Sequence, residues 1–204
     1  MTPAVKVCGL TRPEEAAMLE RHAVEYAGTI LFFPKSKRYI PTERAREILA
    51  ALPPQILKVA VTVSPTVEQV QEIESMGYDF LQVHGKLSGE VLAEGSLPIL
   101  RAYNIADQSV QPEEHPRIVG YVLDGAKAGS GRVFDWEKEA GFDRRGKLLV
   151  LAGGLNPENV AEGIRFFRPD VVDVSSGVEG PEGKDEEKIR RFVAAVRCAE
   201  ASQN

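Results

Sequence analysis

Cysteine is scarce in this sequence. The 204-residue chain has two, Cys8 and Cys198, too few and too far apart for a disulfide framework, which points to a reducing, cytoplasmic setting. Histidine is nearly as rare, and His22, His84 and His115 show no ligand spacing with Cys8, so no metal centre is expected. Positive charge is not in excess either. The 25 Lys and Arg stand against 30 Asp and Glu, and the net of -5 gives no basic field to attract nucleic acid. No apolar run approaches the roughly 18 residues that span a membrane. Met1–Lys6 lacks the basic-then-apolar pattern of a secretory signal. Linkers rich in Ser or Gly and low-complexity tracts are absent too. What is present, 43% hydrophobic and 27% charged residues, fits a globular chain that can bury a sizeable core.

Short apolar runs recur at an even pitch. Strands are predicted at Val5–Cys8, Tyr26–Leu31, Leu57–Val63, Phe80–His84, Pro98–Tyr103, Ile118–Leu123, Leu148–Ala152 and Val171–Ser175. Several are unbroken stretches of Val, Ile and Leu, as strands buried on both faces of a parallel sheet must be. Helical periods lie between them, at Pro13–Glu25 with Thr11 as cap, Pro41–Leu52, Pro65–Met76, Pro157–Phe167 with Asn156 as cap, and Asp185–Ala199. Shorter helices fit Ser88–Glu94, Glu113–His115 and Trp136–Ala140.

Strand and helix alternate throughout, which means βα units and a parallel sheet. A doubly wound sheet is the rival architecture. It usually carries G-x-G-x-x-G after the first strand, and here that place holds Cys8-Gly-Leu-Thr11. Eight units favour a single (β/α)8 TIM barrel with eight parallel strands over residues 1–204. At about 25 residues per unit the chain falls short of the ~250 typical of the fold, which leaves room for a bare barrel and little else.

In such a barrel the chemistry collects at the C-terminal ends of the strands. Three of those ends are rich in Gly and Ser: Gly129-Ser-Gly131, Gly153-Gly154, and Ser175-Ser176-Gly177. One such loop alone would be a tight turn. Two adjacent ones plus a third point to a phosphate, held by backbone N–H groups and a helix N-terminus. Cys8 is either a small apolar strand residue or, next to Gly9, a thiolate base or nucleophile. Cys198, near the end of the last helix, is read as packing, and should not pair with Cys8. Asp124 is either a turn cap or a carboxylic acid poised for proton transfer. Asp173 lies in an apolar run where an unpaired carboxylate is costly, so it meets either Lys6 or the substrate. In the Lys35-Ser-Lys-Arg38 cluster, which a solvated surface would also explain, Arg38 is best shaped to grip a carboxylate.

These segments resemble, in order along the chain, the phosphoribosylanthranilate isomerase family of tryptophan biosynthesis. The resemblance rests on KVCGLT at Lys6–Thr11, FPKSKRYI at Phe33–Ile40, QVHG at Gln82–Gly85, LD at Leu123–Asp124, GSGxxFDW at Gly129–Trp136, GGLNPENV at Gly153–Val160 and VDVSSGVE at Val172–Glu179. Each is short, and together they are specific. The resemblance implies an intramolecular oxidoreductase, an aldose–ketose isomerase. It rearranges N-(5-phosphoribosyl)anthranilate to 1-(o-carboxyphenylamino)-1-deoxyribulose 5-phosphate, an Amadori rearrangement. On this view Asp124 protonates the ring oxygen and Cys8, as thiolate, removes the C2 proton. Arg38 holds the anthranilate carboxylate, His84 and Asp173 lie near the substrate, and the glycine-rich loops hold its phosphate. Such a pair should have opposite environments, with the acid's pKa raised and the base's lowered. No cofactor or metal is implied, and the partner is the small-molecule substrate, for a monomer or a homodimer.

The sequence also departs from the family. Thr62 and Ser64 stand where a Phe and an Asn or Asp are more frequent, Ala128 where Gly is, and Thr29-Ile-Leu31 where an aromatic often follows Gly28. A sister isomerase of the histidine pathway would carry Asp at the end of strand one, where this chain has Cys8. Indole-glycerol-phosphate synthase would need a Lys and a Glu on its early strands. A non-catalytic phosphate-binding barrel would need neither Cys8 nor Asp124.

Overall fold

The structure, a computed structural model, describes residues 2–104, 112–125 and 142–201. Eight parallel strands close into a barrel in chain order. They are β1 Ala4–Cys8, β2 Tyr26–Ile30, β3 Leu57–Val63, β4 Phe80–His84, β5 Ile99–Asn104, β6 Ile118–Asp124, β7 Leu148–Leu151 and β8 Val171–Val174. The seam is β1 against β8, with Lys6 opposite Asp173. Every predicted strand is present, to within a residue at either end.

Alternation along each strand makes two cores. Inside the barrel pack Val59, Val61, Leu100, Ala102, Val122, Val150, Ala152 and Val171, with Cys8 above them. Outside, Val5, Val7, Ala60, Leu81, Val83, Tyr121 and Val172 meet the helices. With both faces buried, the strands read as continuous apolar runs.

The helices among the described residues are α1 Glu15–Arg21, α2 Thr42–Ala51, α3 Val67–Ser75, α4 Gly89–Glu94, α5 Val160–Phe167 and α6 Glu186–Ala201. Their starts fall later than the sequence pattern suggests. Thr11 does not cap α1, which has no side-chain cap at its N-terminus. Instead the buried Glu15 carboxylate accepts the N–H groups of Thr11 (2.7 Å) and Arg12 (3.2 Å). Ala23, at φ 51°, lies beyond the end of the helix. Asn156 caps a turn rather than the helix itself, accepting from the N–H groups of Glu158 and Asn159, and α5 begins at Val160.

Glu113–His115 is not helical. Arg101 Nε donates to the Glu113 carboxylate (2.6 Å), the Glu113 N–H donates to the Tyr103 hydroxyl (2.7 Å), and Tyr121 donates to the Glu113 carbonyl (3.0 Å). Three tertiary hydrogen bonds hold the segment out of a helix. The predicted helix at Trp136–Ala140 lies outside the described residues. After β8 the chain makes a 3-10 turn, Ser176–Val178, and a short hairpin of β9 Glu179–Gly180 and β10 Gly183–Lys184.

Candidate active site

The C-terminal ends of the strands surround one cleft of about 180 Å³. Cys8 enters from β1, His84 and Gln82 from β4, Asp124 from β6, and Asp173 from β8. Arg38, Gly153, Gly154, Ser175 and Ser176 complete its wall from the loops. Gly177 stands behind: a β-carbon on it would overlap the Leu155 carbonyl, so its small size lets the loops after β7 and β8 abut. Gly129 and Gly131 lie outside the described residues. Cys198 is exposed and Cys8 buried, both as free thiols. Among the described residues no three His, Cys, Asp or Glu side chains are grouped as metal ligands would be.

Beneath the cleft lies a buried ion pair. Lys6 Nζ donates to Asp173 Oδ2 at 2.6 Å, with Lys6 fully enclosed and Asp173 6% exposed. The two alternatives for Asp173, a Lys6 partner and a place against the cleft, therefore coincide. Asp173 Oδ1 is buried and has no hydrogen-bond partner among the described residues. Burial works against the Lys6 charge, but Asp173 and Cys8 together outweigh it and the ammonium is held in its charged form.

Asp124 behaves as an acid should. Burial, then the nearby Asp173 charge, raises it from 3.8 to about 6, against the opposing pull of Lys6 and the Gly125 N–H. Cys8 does not follow the expectation for a base. Its pKa is raised, not lowered, because burial outweighs the attraction of Lys6 and Lys184, and Asp173 adds repulsion. The sequence pattern places cations near the thiol but says nothing of how dry the site is. His84 is pushed down to about 4 by burial and by the charges of Lys6 and Arg101, so the ring is neutral at pH 7. Its Nε2 lies 2.9 Å from Gln82 Nε2.

At the rim, Arg38 is already engaged. Its Nε and Nη2 (3.0 Å) both donate to the Glu179 carboxylate. Lys184 Nζ donates to the same carboxylate (3.0 Å) and to the carbonyl and hydroxyl oxygens of Ser175 (3.2 and 3.3 Å). Burial opposes the Glu179 charge, but Arg38 and Lys184 hold its pKa down at about 2. Ser175 in turn donates to the Cys8 carbonyl (2.9 Å). The reading of the sequence missed Glu179, Lys184 and Gln82. A signal for the first two exists: opposite charges flank the turn Gly180-Pro-Glu-Gly183, and the hairpin register sets them face to face. Of the departures noted above, Ile30 lines the cleft, while Thr29 and Thr62 do not. Ser64 adopts φ 51°, and its hydroxyl accepts the Lys86 N–H at 2.8 Å.

A family model described as N-(5'phosphoribosyl)anthranilate (PRA) isomerase matches residues 5–195. The N-(5'-phosphoribosyl)anthranilate isomerase of Aquifex aeolicus is 37% identical over 200 residues, covering 95% of this chain and 98% of that one. The solved phosphoribosyl anthranilate isomerase from Thermotoga maritima superposes with a TM-score of 0.84 at 33% identity, over 96% of this chain and 99% of its own. A phosphoribosyl anthranilate isomerase solved with reduced 1-(o-carboxyphenylamino)-1-deoxyribulose 5-phosphate has a TM-score of 0.78 at 32% identity, over 96% and 99% of the two chains.

Proposed function

We propose a division of labour in the cleft on one premise: the chain belongs to the N-(5'-phosphoribosyl)anthranilate isomerase family and is an isomerase of tryptophan biosynthesis. The reaction turns an aminoaldose into an aminoketose. A proton must be given to the ring oxygen as the C1–O bond breaks, and another taken from C2 of the resulting iminium ion. The enolamine so formed then moves its hydroxyl proton to C1 and becomes the ketone.

Asp124 gives the first proton. With its pKa near 6, about a tenth of the molecules keep the acid form at pH 7, against far fewer for an ordinary carboxyl. Cys8 takes the second as thiolate. Arg38 binds the anthranilate carboxylate through the guanidinium edge that Glu179 leaves open. Gly153, Gly154, Ser175, Ser176 and Gly177 hold the phosphate, with Gly129 and Gly131 assigned to it by motif. Asp173 and the neutral His84 face the sugar.

The observation that carries this reading is one cleft with a thiol on one strand end and a raised carboxyl on another. The whole chain acts as one barrel domain in the cytoplasm, a setting the two free thiols fit. No helix among the described residues is long and apolar enough to cross a membrane. A fluorescence assay following the loss of freshly made phosphoribosylanthranilate tests the reading. Cys8→Ala and Asp124→Asn should each slow turnover by at least about a hundredfold. A near-normal rate in either removes that residue's role.

A further inference from the structure

We propose that Lys6 is a positioning residue for Cys8: anchored by Asp173 in the floor of the cleft, its ammonium stabilises the thiolate that burial alone would disfavour. This rests on Cys8 being the base.

Lys6 and Cys8 are two residues apart on β1, so both point into the barrel, Lys6 one layer deeper. Asp173 is the register partner of Lys6 across the seam and fixes the ammonium from one side, at 2.6 Å. The Cys8 thiol shares this strand face and borders the same point of β2 as the ammonium. Gly28, the register partner of Cys8 on β2, keeps this space open. A β-carbon there would stand 3.0 Å from Cys8 Sγ and 3.3 Å from Lys6 Nζ. An ammonium has three N–H donors, and Asp173 Oδ2 takes one.

Stability does not explain the pair. Removing two charges from water offsets most of their attraction, and apolar residues of the same volume would fill the barrel as well. The other charged or titratable groups around the cleft are Lys184, Asp124, Arg38 and His84. Lys184 is held by three acceptors at the rim, Arg38 by Glu179, and His84 is neutral. Of the two cations that act on the thiol, Lys6 and Lys184, only Lys6 shares its strand face.

The test uses the substrate-free chain. A Cys198→Ser background leaves Cys8 as its only thiol. Ionisation is followed by thiolate absorbance in the ultraviolet and by the rate of iodoacetamide alkylation against pH. Lys6→Met should move the midpoint up and slow alkylation about tenfold or more at pH 8, tenfold being one pKa unit. Lys6→Arg, which keeps a cation in the same place, should stay near the parent. Charge loss and looseness have opposite signs, since a loosened core would wet the thiol, lower its midpoint and speed alkylation. A midpoint that falls or stays put in Lys6→Met, or that rises as far in Lys6→Arg, overturns the proposal. If Lys6→Met does not fold, Lys6→Met/Asp173→Leu removes both charges together and should still titrate above the parent, because Lys6 acts on the thiol more strongly than Asp173 does; a midpoint no higher than the parent's overturns the proposal. A Cys8→Ala protein with normal turnover would instead sink the base assignment and leave the titration result standing.

Discussion

Replacing Asp124 by Asn should stabilise this chain while disabling it. The carboxyl titrates near 6 in the fold and near 3.8 when free, a difference of about two units. At 1.36 kcal/mol per unit, keeping the group ionised in the fold costs about 3 kcal/mol. The sign follows from which state holds the proton more tightly. The folded state does, so folding takes up a proton between about pH 4 and pH 6, and stability falls as pH rises through that window. Above it the whole cost is present, and below it the cost vanishes. Asn carries no charge at any pH. Urea unfolding at about pH 8 should therefore give Asp124→Asn up to about 3 kcal/mol over the parent, or some 6–12 °C in Tm for a chain of this size. At about pH 4 the gain should shrink to under about 1 kcal/mol, and turnover should be down at least a hundredfold at every pH. An equal gain at both pH values, or none at pH 8, would refute the argument that Asp124 is held as an acid by burial and by Asp173.

Two neighbouring glycines should part company. Gly153 and Gly154 both have positive φ, 84° and 68°, so an Ala at either costs about 1–2 kcal/mol in backbone strain. A β-carbon on Gly153 would also overlap the Gly125 amide and stand 2.7 Å from Asp124 Oδ1, while one on Gly154 meets nothing within 4 Å. Gly153→Ala should lower both kcat and stability sharply. Gly154→Ala should show only the strain, with any kinetic effect confined to KM; equal losses in the two would be against this geometry. Arg38→Met should raise KM on the order of ten- to a hundredfold, the worth of a charged hydrogen bond, with kcat less affected. An unchanged KM would remove the carboxylate contact.

The strands were legible in the sequence because barrel strands are dry on both faces, so Leu148–Leu151 carries its assignment in composition alone. Helix boundaries were less so. At α1 the side chain that matters, Glu15, lies inside the helix and reaches back to Thr11 and Arg12, which a cap pattern does not reveal. Glu113–His115 is held by side chains from β5 and β6, and no local preference records that. Within the site, residue types and strand ends located Cys8, Asp124, Asp173 and Arg38 around one cleft. The Lys6–Asp173 contact was among the alternatives because a charge in an apolar strand demands a partner. The direction of the Cys8 shift was not legible, since it depends on how much water the assembled barrel excludes. Nor was Glu179's hold on Arg38, which joins positions 141 apart.

The seam between β1 and β8 sets a condition on how the chain folds. Lys6 and Asp173 are 167 positions apart, as are Cys8 and Ser175. Closing a loop of that length costs about 4–5 kcal/mol of chain entropy, and β1 and β8 must meet before either contact exists. Until then the Cys8 thiol has neither its ammonium nor its dry surroundings. A nascent chain that has released β1 but not β8 carries the residues of the site without the site. Its thiol chemistry thus doubles as a clock for barrel closure. A circularly permuted chain, with the chain end after α6 joined to the start of β1 and new ends in another connection, would make the same contact early and locally.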